Sequence, residues 1–207
     1  MARTKAPDHE SQREKILEVA AEAFARASYP STSMAELAAA CGTSKARLYH
    51  YYVSKDAILF DLLERYTKRL MLIIAEVEAL GQRRGLSEQE TFHELVRAFL
   101  DEYETSQTRH IALLNDVKFL VDNQREIVLN RQRDVVAAFS RQLARAFPDR
   151  VNKENQTALT MMLFGMINWT FTWLKPGGRM RYRDFADEVI DVMEHGLAKS
   201  LSAAETP

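Results

Sequence analysis

Two short helix patterns separated by a tight turn constrain the fold of this 207-residue chain more than any other feature. Ser33 and Glu36 form a capping box at the start of the first pattern, in which each side chain satisfies a free backbone N–H. Gly42 supplies the left-handed conformation that ends such a helix, and Ser44 is a suitable N-cap for the next one. The sequence therefore predicts two helices, over 34–41 and 45–52, joined by a turn of about three or four residues.

Helical patterns cover the rest of the chain as well, and no strand pattern is present. Only seven glycines and five prolines interrupt long stretches of residues that lose little rotamer freedom in a helix. The predicted helices are 11–27, 34–41, 45–52, 54–80, one that begins after Ser87, 108–121, 125–147, 153–174 and 182–201. We therefore expect an all-α fold, in which the long helix 54–80 links two domains.

The charges of the chain are unevenly distributed. A net charge of −1 argues against a general binder of polyanions. From Cys41 to Lys55, however, there are three cations, Lys45, Arg47 and Lys55, and no acid. A local positive strip of this kind matters more beside phosphates than the total charge does. Two short helices whose second member is polar and cationic on the outside fit the major groove of DNA.

The sequence from Ser33 to Asp56 resembles the signature of TetR-type repressors. The resemblance rests on SMAELA at 33–38 and CGTSKARLYHYYVSKD at 41–56, and it departs from the common pattern at Thr43 and at Ala46-Arg47. It implies a helix-turn-helix domain over 1–55 that binds double-stranded DNA. It assigns phosphate contacts to Ser44, Tyr49, His50 and Lys55. It leaves Thr43, Lys45 and Arg47 as candidates for base contacts, with arginine the best reader of guanine. Packing of Tyr49 against the first helix and simple solvation of Lys45 are the alternatives.

The same resemblance implies that 56–207 is a helical effector-binding and dimerisation domain, whose last two long helices pair across a two-fold axis. Independently, an apolar helix over 159–174 and an amphipathic helix after Tyr182 need a partner surface beyond one small domain. A symmetric homodimer is the commonest solution, and it predicts a pseudo-palindromic operator. The residues expected at the dimer interface are Phe164, Phe171, Phe185, Val189, Val192 and Met193.

A sensing site is expected in the same domain, where large apolar side chains recur at helical spacing. The candidate ligand-binding residues are Phe99, Tyr103, Arg109, Phe119, Trp169 and Trp173, and plain core packing is the alternative for each aromatic side chain. The stretch 168–179 is similar to that of TetR-type regulators of fatty-acid, steroid and phenylacetate breakdown. This similarity implies a small hydrophobic or acyl-CoA effector, whose phosphates would meet some of Arg109, Arg125, Arg131, Arg133 and Arg181.

The resemblance thus predicts a ligand-responsive transcriptional regulator, most simply a repressor that the effector releases from its operator through the helix 54–80. An enzyme is not expected, because the five histidines form no metal-ligand pattern and no nucleophile or phosphate-loop motif is present. We expect no cofactor and no metal. A helical scaffold that binds a protein partner is the remaining alternative, although it leaves Thr43 to Lys55 unexplained.

Two further features bear on the location of the protein. The N-terminal residues 1–12 are charged and contain no apolar core of a signal peptide, which favours the cytoplasm. The uncharged stretch Asn155 to Leu174 approaches the length of a membrane span, but its polar residues favour a core or subunit-interface helix. The single cysteine, Cys41, is expected to be a buried apolar residue.

Overall fold

A computed structural model describes residues 5–198 of the chain, with the side chains of 9–196. This part of the chain contains helices and no strand, which confirms the all-α prediction. No helix within it is long and apolar enough to cross a membrane. The helices are α1 (Lys5–Ala27), α2 (Met34–Ala40), α3 (Lys45–Tyr51), α4 (Lys55–Arg84), α5 (Glu88–Thr105), α6 (Gln107–Asp116), a 3-10 turn (Val117–Phe119), α7 (Asp122–Ala146), α8 (Gln156–Asn168), α9 (Thr170–Trp173) and α10 (Tyr182–Ala198).

The end predicted for the helix 54–80 was wrong, because α4 runs through Gly81 and ends only at Arg84. A side chain at Gly81 would place its Cβ 2.7 Å from Thr91 Oγ1 of α5. This glycine therefore permits close packing of two helices and does not end one. The helix stops before Gly85, which has a φ of 65°.

The helix predicted over 153–174 is shorter and broken. It begins at Gln156, and the backbone N–H of Trp169 bonds to Ile167 instead of continuing the α-helical pattern. The Thr170 hydroxyl also donates to the Ile167 carbonyl at 2.8 Å, a local bond that competes with the helix. The last helix begins at Tyr182 as predicted, and its predicted end at Leu201 lies outside the described residues.

The chain forms two compact units. The first comprises residues up to Lys68 together with Thr108–Asn130, and its core includes Leu17, Phe24 and Tyr66. The second comprises Arg69–Gln107 and the chain from Arg131 onward, with a core that includes Phe92, Phe99, Phe139 and Tyr182. The first unit therefore contains more than the three N-terminal helices. The functional boundary predicted after residue 55 stays a prediction.

Candidate nucleic-acid interface

The turn between α2 and α3 has the local geometry that its sequence predicts. Ser33 Oγ accepts a hydrogen bond from the Glu36 N–H at 3.2 Å, and Glu36 Oε2 accepts one from the Ser33 N–H at 2.7 Å. The backbone and side-chain hydrogen bonds of Ser33 hold the pKa of Glu36 below its usual value. Gly42 has a φ of 63°, and Ser44 Oγ accepts from the Arg47 N–H at 3.1 Å. These caps fix where each short helix begins and ends.

Helix α3 is anchored on one side and open to solvent on the other. Leu48 is fully buried and Tyr52 is nearly so. Lys45, Arg47 and His50 are exposed, and the Tyr49 side chain is 44% exposed. Lys45 Nζ lies 5.9 Å from the centre of the Tyr49 ring, close enough for a cation–π contact. The outer surface of α3 therefore presents cationic and aromatic groups.

An ion-pair network around Asp61 of α4 holds the end of α3. The Asp61 carboxylate accepts hydrogen bonds from Arg13 at 2.7 Å, Tyr52 at 2.5 Å and Arg65 at 2.8 Å. Burial alone would raise the pKa of Asp61, but the bonds from Arg65 and Tyr52 keep it below its usual value. Arg65 also pairs with Glu10 of α1. The network therefore joins α1, α4 and the C-terminal end of α3.

The side chain of Lys55, a predicted phosphate-binding residue at the start of α4, lies against the loop between α1 and α2. Its Nζ donates to the Tyr29 and Thr32 carbonyls at 2.7 Å each and lies 4.2 Å from the centre of the Tyr29 ring. The Tyr29 hydroxyl in turn donates to Asp56. Burial raises the pKa of Tyr29, so its hydroxyl stays protonated and remains a donor. A phosphate contact by Lys55 would compete with these bonds, and the predicted role remains a prediction.

Helix α1 and the α2–α3 turn enclose a groove of about 230 Å³ that the sequence did not reveal. Thr43 and Arg47 line one side of this groove, and Lys15 of α1 lines the other. The Tyr51 ring also lines it, and lies 4.8 Å from the ring of His9 in α1. Only the i, i+4 spacing of Arg47 and Tyr51 hinted that they share a helix face.

The predicted ligand-binding residues are divided between the two units. In the second unit, Phe99 and Tyr103 are buried, and the Tyr103 hydroxyl donates to Asn168 Oδ1 at 3.1 Å. The Trp169 and Trp173 side chains are 63% and 50% exposed. Phe99 packs against Phe139, with 4.6 Å between the ring centres.

The other two predicted ligand-binding residues belong to the first unit. Arg109 Nη2 lies 2.5 Å from Glu14 Oε1 of α1, and the Phe119 ring stacks on Tyr29 with 5.5 Å between the ring centres. Among the further candidate arginines, Arg125 pairs with Asp122 and Arg181 pairs with Asp184. Arg131 and Arg133 also interact within the chain.

Helix α8 carries an exposed apolar face that the predicted dimer residues do not include. Phe164, Val189 and Met193 are buried within the second unit itself, and Phe171 and Phe185 are half-buried. Val192 is 55% exposed. Met161 and Met162, which are 46% and 61% exposed, could not be identified from the sequence, because a helix that is apolar nearly all round gives no signal for its outer face.

Two family models match the chain. Residues 16–62 match the model described as "Bacterial regulatory proteins, tetR family". Residues 85–197 match the model described as "Tetracyclin repressor-like, C-terminal domain". The second match alone spans more than half of the chain.

Solved structures and a curated relative agree with these matches. A TetR-family transcriptional regulator from Bordetella parapertussis 12822 is 34% identical, with a TM-score of 0.81, and the match covers 94% of this chain and 98% of that protein. AibR in complex with isovaleryl coenzyme A and operator DNA is 24% identical, with a TM-score of 0.75 over 87% of this chain and 97% of AibR, and shows the same fold. The HTH-type transcriptional repressor KstR2 of Rhodococcus jostii (strain RHA1) is 23% identical over 190 residues, which are 90% of this chain and 91% of KstR2.

Proposed function

Because this chain belongs to the tetR family of bacterial regulatory proteins, we propose that it is a transcriptional repressor that binds operator DNA through α3 and releases it when a small ligand binds. The observation that carries this proposal is the helix-turn-helix geometry around Gly42. Leu48 anchors α3 from inside, while Lys45, Arg47 and Tyr49 are left exposed for a DNA major groove. A regulator of bacterial genes acts in the cytoplasm, and we propose no catalytic role for it.

We propose that a symmetric homodimer is the DNA-binding species. The support is a set of exposed apolar side chains: Met161 and Met162 on α8, Trp169 directly after α8, and Val192 on α10. Exposed large apolar side chains on neighbouring helices favour association with an identical surface, because a two-fold axis lets one patch cover its own copy. Such a dimer reads two half-sites about 34–36 Å apart.

The DNA-binding proposal is tested on the promoter adjacent to the gene of this protein. We expect the purified protein to protect a segment of that promoter from nuclease digestion and the Tyr49→Ala variant to lose protection, since Tyr49 lies on the exposed face of α3. Glu22→Ala, in an exposed part of α1 outside the groove, serves as a control that retains protection. Absence of protection and of any duplex binding by the wild-type protein would favour a scaffold that binds a protein partner.

We further propose a hydrophobic or acyl-CoA effector. The support is the similarity to AibR, whose solved structure contains isovaleryl coenzyme A, and to the repressor KstR2. Isothermal titration calorimetry with acyl-CoA thioesters of increasing chain length, coenzyme A alone and free aromatic acids tests this class. We expect binding that strengthens with the acyl chain. Binding of a free aromatic acid and of no thioester would overturn the assignment.

We propose that the ligand acts on DNA binding through residues 108–119 of the predicted effector-binding domain. Its Arg109 pairs with Glu14 of α1, and its Phe119 stacks on Tyr29 in the loop before α2. A ligand that shifts this segment therefore shifts the contacts that position the DNA-binding helices. We expect Arg109→Gln to reduce the effect of the ligand on DNA affinity, whereas Arg26→Gln, at an exposed position of α1 outside this contact, retains it. Equal responses in both variants would contradict this route.

A further inference from the structure

The groove between α1 and the α2–α3 turn has a composition suited to an anion. It is lined by the apolar side chains Ile16 and Val19 and by two cations, Lys15 of α1 and Arg47 of α3. Lys15 and Arg47 are not among the described residues that form ion pairs, and Glu18 is the acid among the groove-lining side chains. The groove therefore carries two cations against one acid, and this net positive charge between two helices favours a phosphate or a carboxylate.

The position of Arg47 on α3 separates it from the other candidate base reader. Arg47 and Tyr51 are four residues apart and both line the groove, so they occupy the flank of α3 that faces α1. Lys45 and Tyr49 are also four residues apart, contact each other and do not line the groove. Side chains that are two positions apart on an α-helix point in directions that differ by about 200°. The two pairs therefore lie on different flanks of α3.

We propose that this groove binds one phosphate of the DNA backbone, held by Lys15 and Arg47, and that Arg47 is a positioning contact to the backbone while Lys45 reads bases. The inference rests on the proposed DNA-binding function, and it extends the interface from α3 onto α1. The groove is continuous with the candidate interface through Thr43, which makes DNA its occupant. Charge complementarity with the backbone supports the same choice.

The experiment compares two duplexes, one selected by the wild-type protein from a random-sequence library and one of scrambled sequence. Dissociation constants are measured by fluorescence anisotropy over a series of salt concentrations. The variants are Lys15→Gln, Arg47→Gln, their combination and Lys45→Gln. Arg26→Gln is the matched control, because Arg26 is exposed on α1 and does not line the groove. Circular dichroism establishes that each variant keeps the helical signal of the wild type.

Removing a phosphate contact and removing a base contact change the two affinities in different ways. We expect Lys15→Gln and Arg47→Gln each to weaken binding to both duplexes by about five-fold, because these are exposed ionic contacts. In the double variant, the slope of log K against log salt should become less negative by about 0.9, the value expected for one phosphate. Lys45→Gln should instead lower the ratio of the two affinities by about ten-fold.

Two results would overturn the inference. If Arg47→Gln no longer distinguishes the selected duplex from the scrambled one and keeps the salt slope of the wild type, Arg47 is a base reader. An unchanged slope in Lys15→Gln and in the double variant would remove α1 from the interface. Failure of the proposed function has a different signature, since the wild-type protein would then select no sequence and bind neither duplex.

Discussion

The carboxylate of Asp61 offers the sharpest test of how α3 is held in place. Three donors converge on it, from Arg13, Tyr52 and Arg65, and its side chain is only 14% exposed. Asp61→Asn keeps the size of the side chain and removes its charge. Two guanidinium groups, each about 30% exposed, then lose the anion between them.

The magnitude follows from this partial burial. A hydrogen bond to a charged group contributes about 1.5–3 kcal/mol, and removing one partner of a fully buried ion pair costs about 3–5 kcal/mol. Here the amide oxygen still accepts one bond, and water reaches both arginines. We therefore expect Asp61→Asn to lower the free energy of unfolding by about 2–3 kcal/mol.

Urea denaturation followed by circular dichroism measures this loss. Asp122→Asn is the matched control, because Asp122 also pairs with an arginine but its side chain is 93% exposed. We expect no measurable change in the control. An Asp61→Asn variant as stable as the wild type, or a control that loses as much, would refute the reasoning.

The pH dependence supplies a second readout of the same network. The pKa of Asp61 is lowered in the folded state, so its carboxylate stabilises the fold above the unfolded pKa of about 4. This contribution is lost as the pH falls through the folded pKa. The difference in the free energy of unfolding between the wild type and Asp61→Asn should thus be largest at neutral pH and decrease below about pH 4. A difference that stays constant into this acidic range would contradict the assignment.

Three further predictions concern other parts of the chain. Phe139→Ala should cost about 3–5 kcal/mol in urea denaturation, because the ring is fully buried 4.6 Å from Phe99; a loss under about 1 kcal/mol would contradict the packing described. Met162→Glu should shift the dimer toward monomer in analytical ultracentrifugation without loss of helix signal, and an unchanged dimer would place the interface elsewhere. Gly42→Ala should cost about 1–2 kcal/mol because of the φ of 63°, and Gly42→Asn should cost less; equal losses would argue against a conformational cause.

The features that could be predicted from the sequence are those fixed by local chemistry. The Ser33 capping box, the Gly42 turn and the Ser44 cap depend on side chains within a few residues of the backbone they bind. Leu48 could be placed inside and Tyr49 outside because helical spacing alone separates them. The family resemblance then added the DNA-binding assignment, which the family models support.

The features that could not be predicted depend on contacts between distant residues. Gly81 looks like a helix end in the sequence, and only the position of Thr91 shows that it serves close packing. Phe119 looks like a member of an aromatic pocket, and only its stacking on Tyr29 places it beside the DNA-binding helices. Lys15 carries no sequence signal at all, since its importance arises from a groove formed with α3.

The bonds made by Lys55 turn this residue into a chemical reporter of the loop between α1 and α2. Its amino group reacts with an acylating reagent only when the nitrogen is accessible, and here that nitrogen donates to the Tyr29 and Thr32 carbonyls. Exposed Lys45 should therefore be acylated quickly and Lys55 slowly. Mass spectrometry of the labelled protein with and without DNA then reports whether this loop opens when α3 enters the major groove of the DNA.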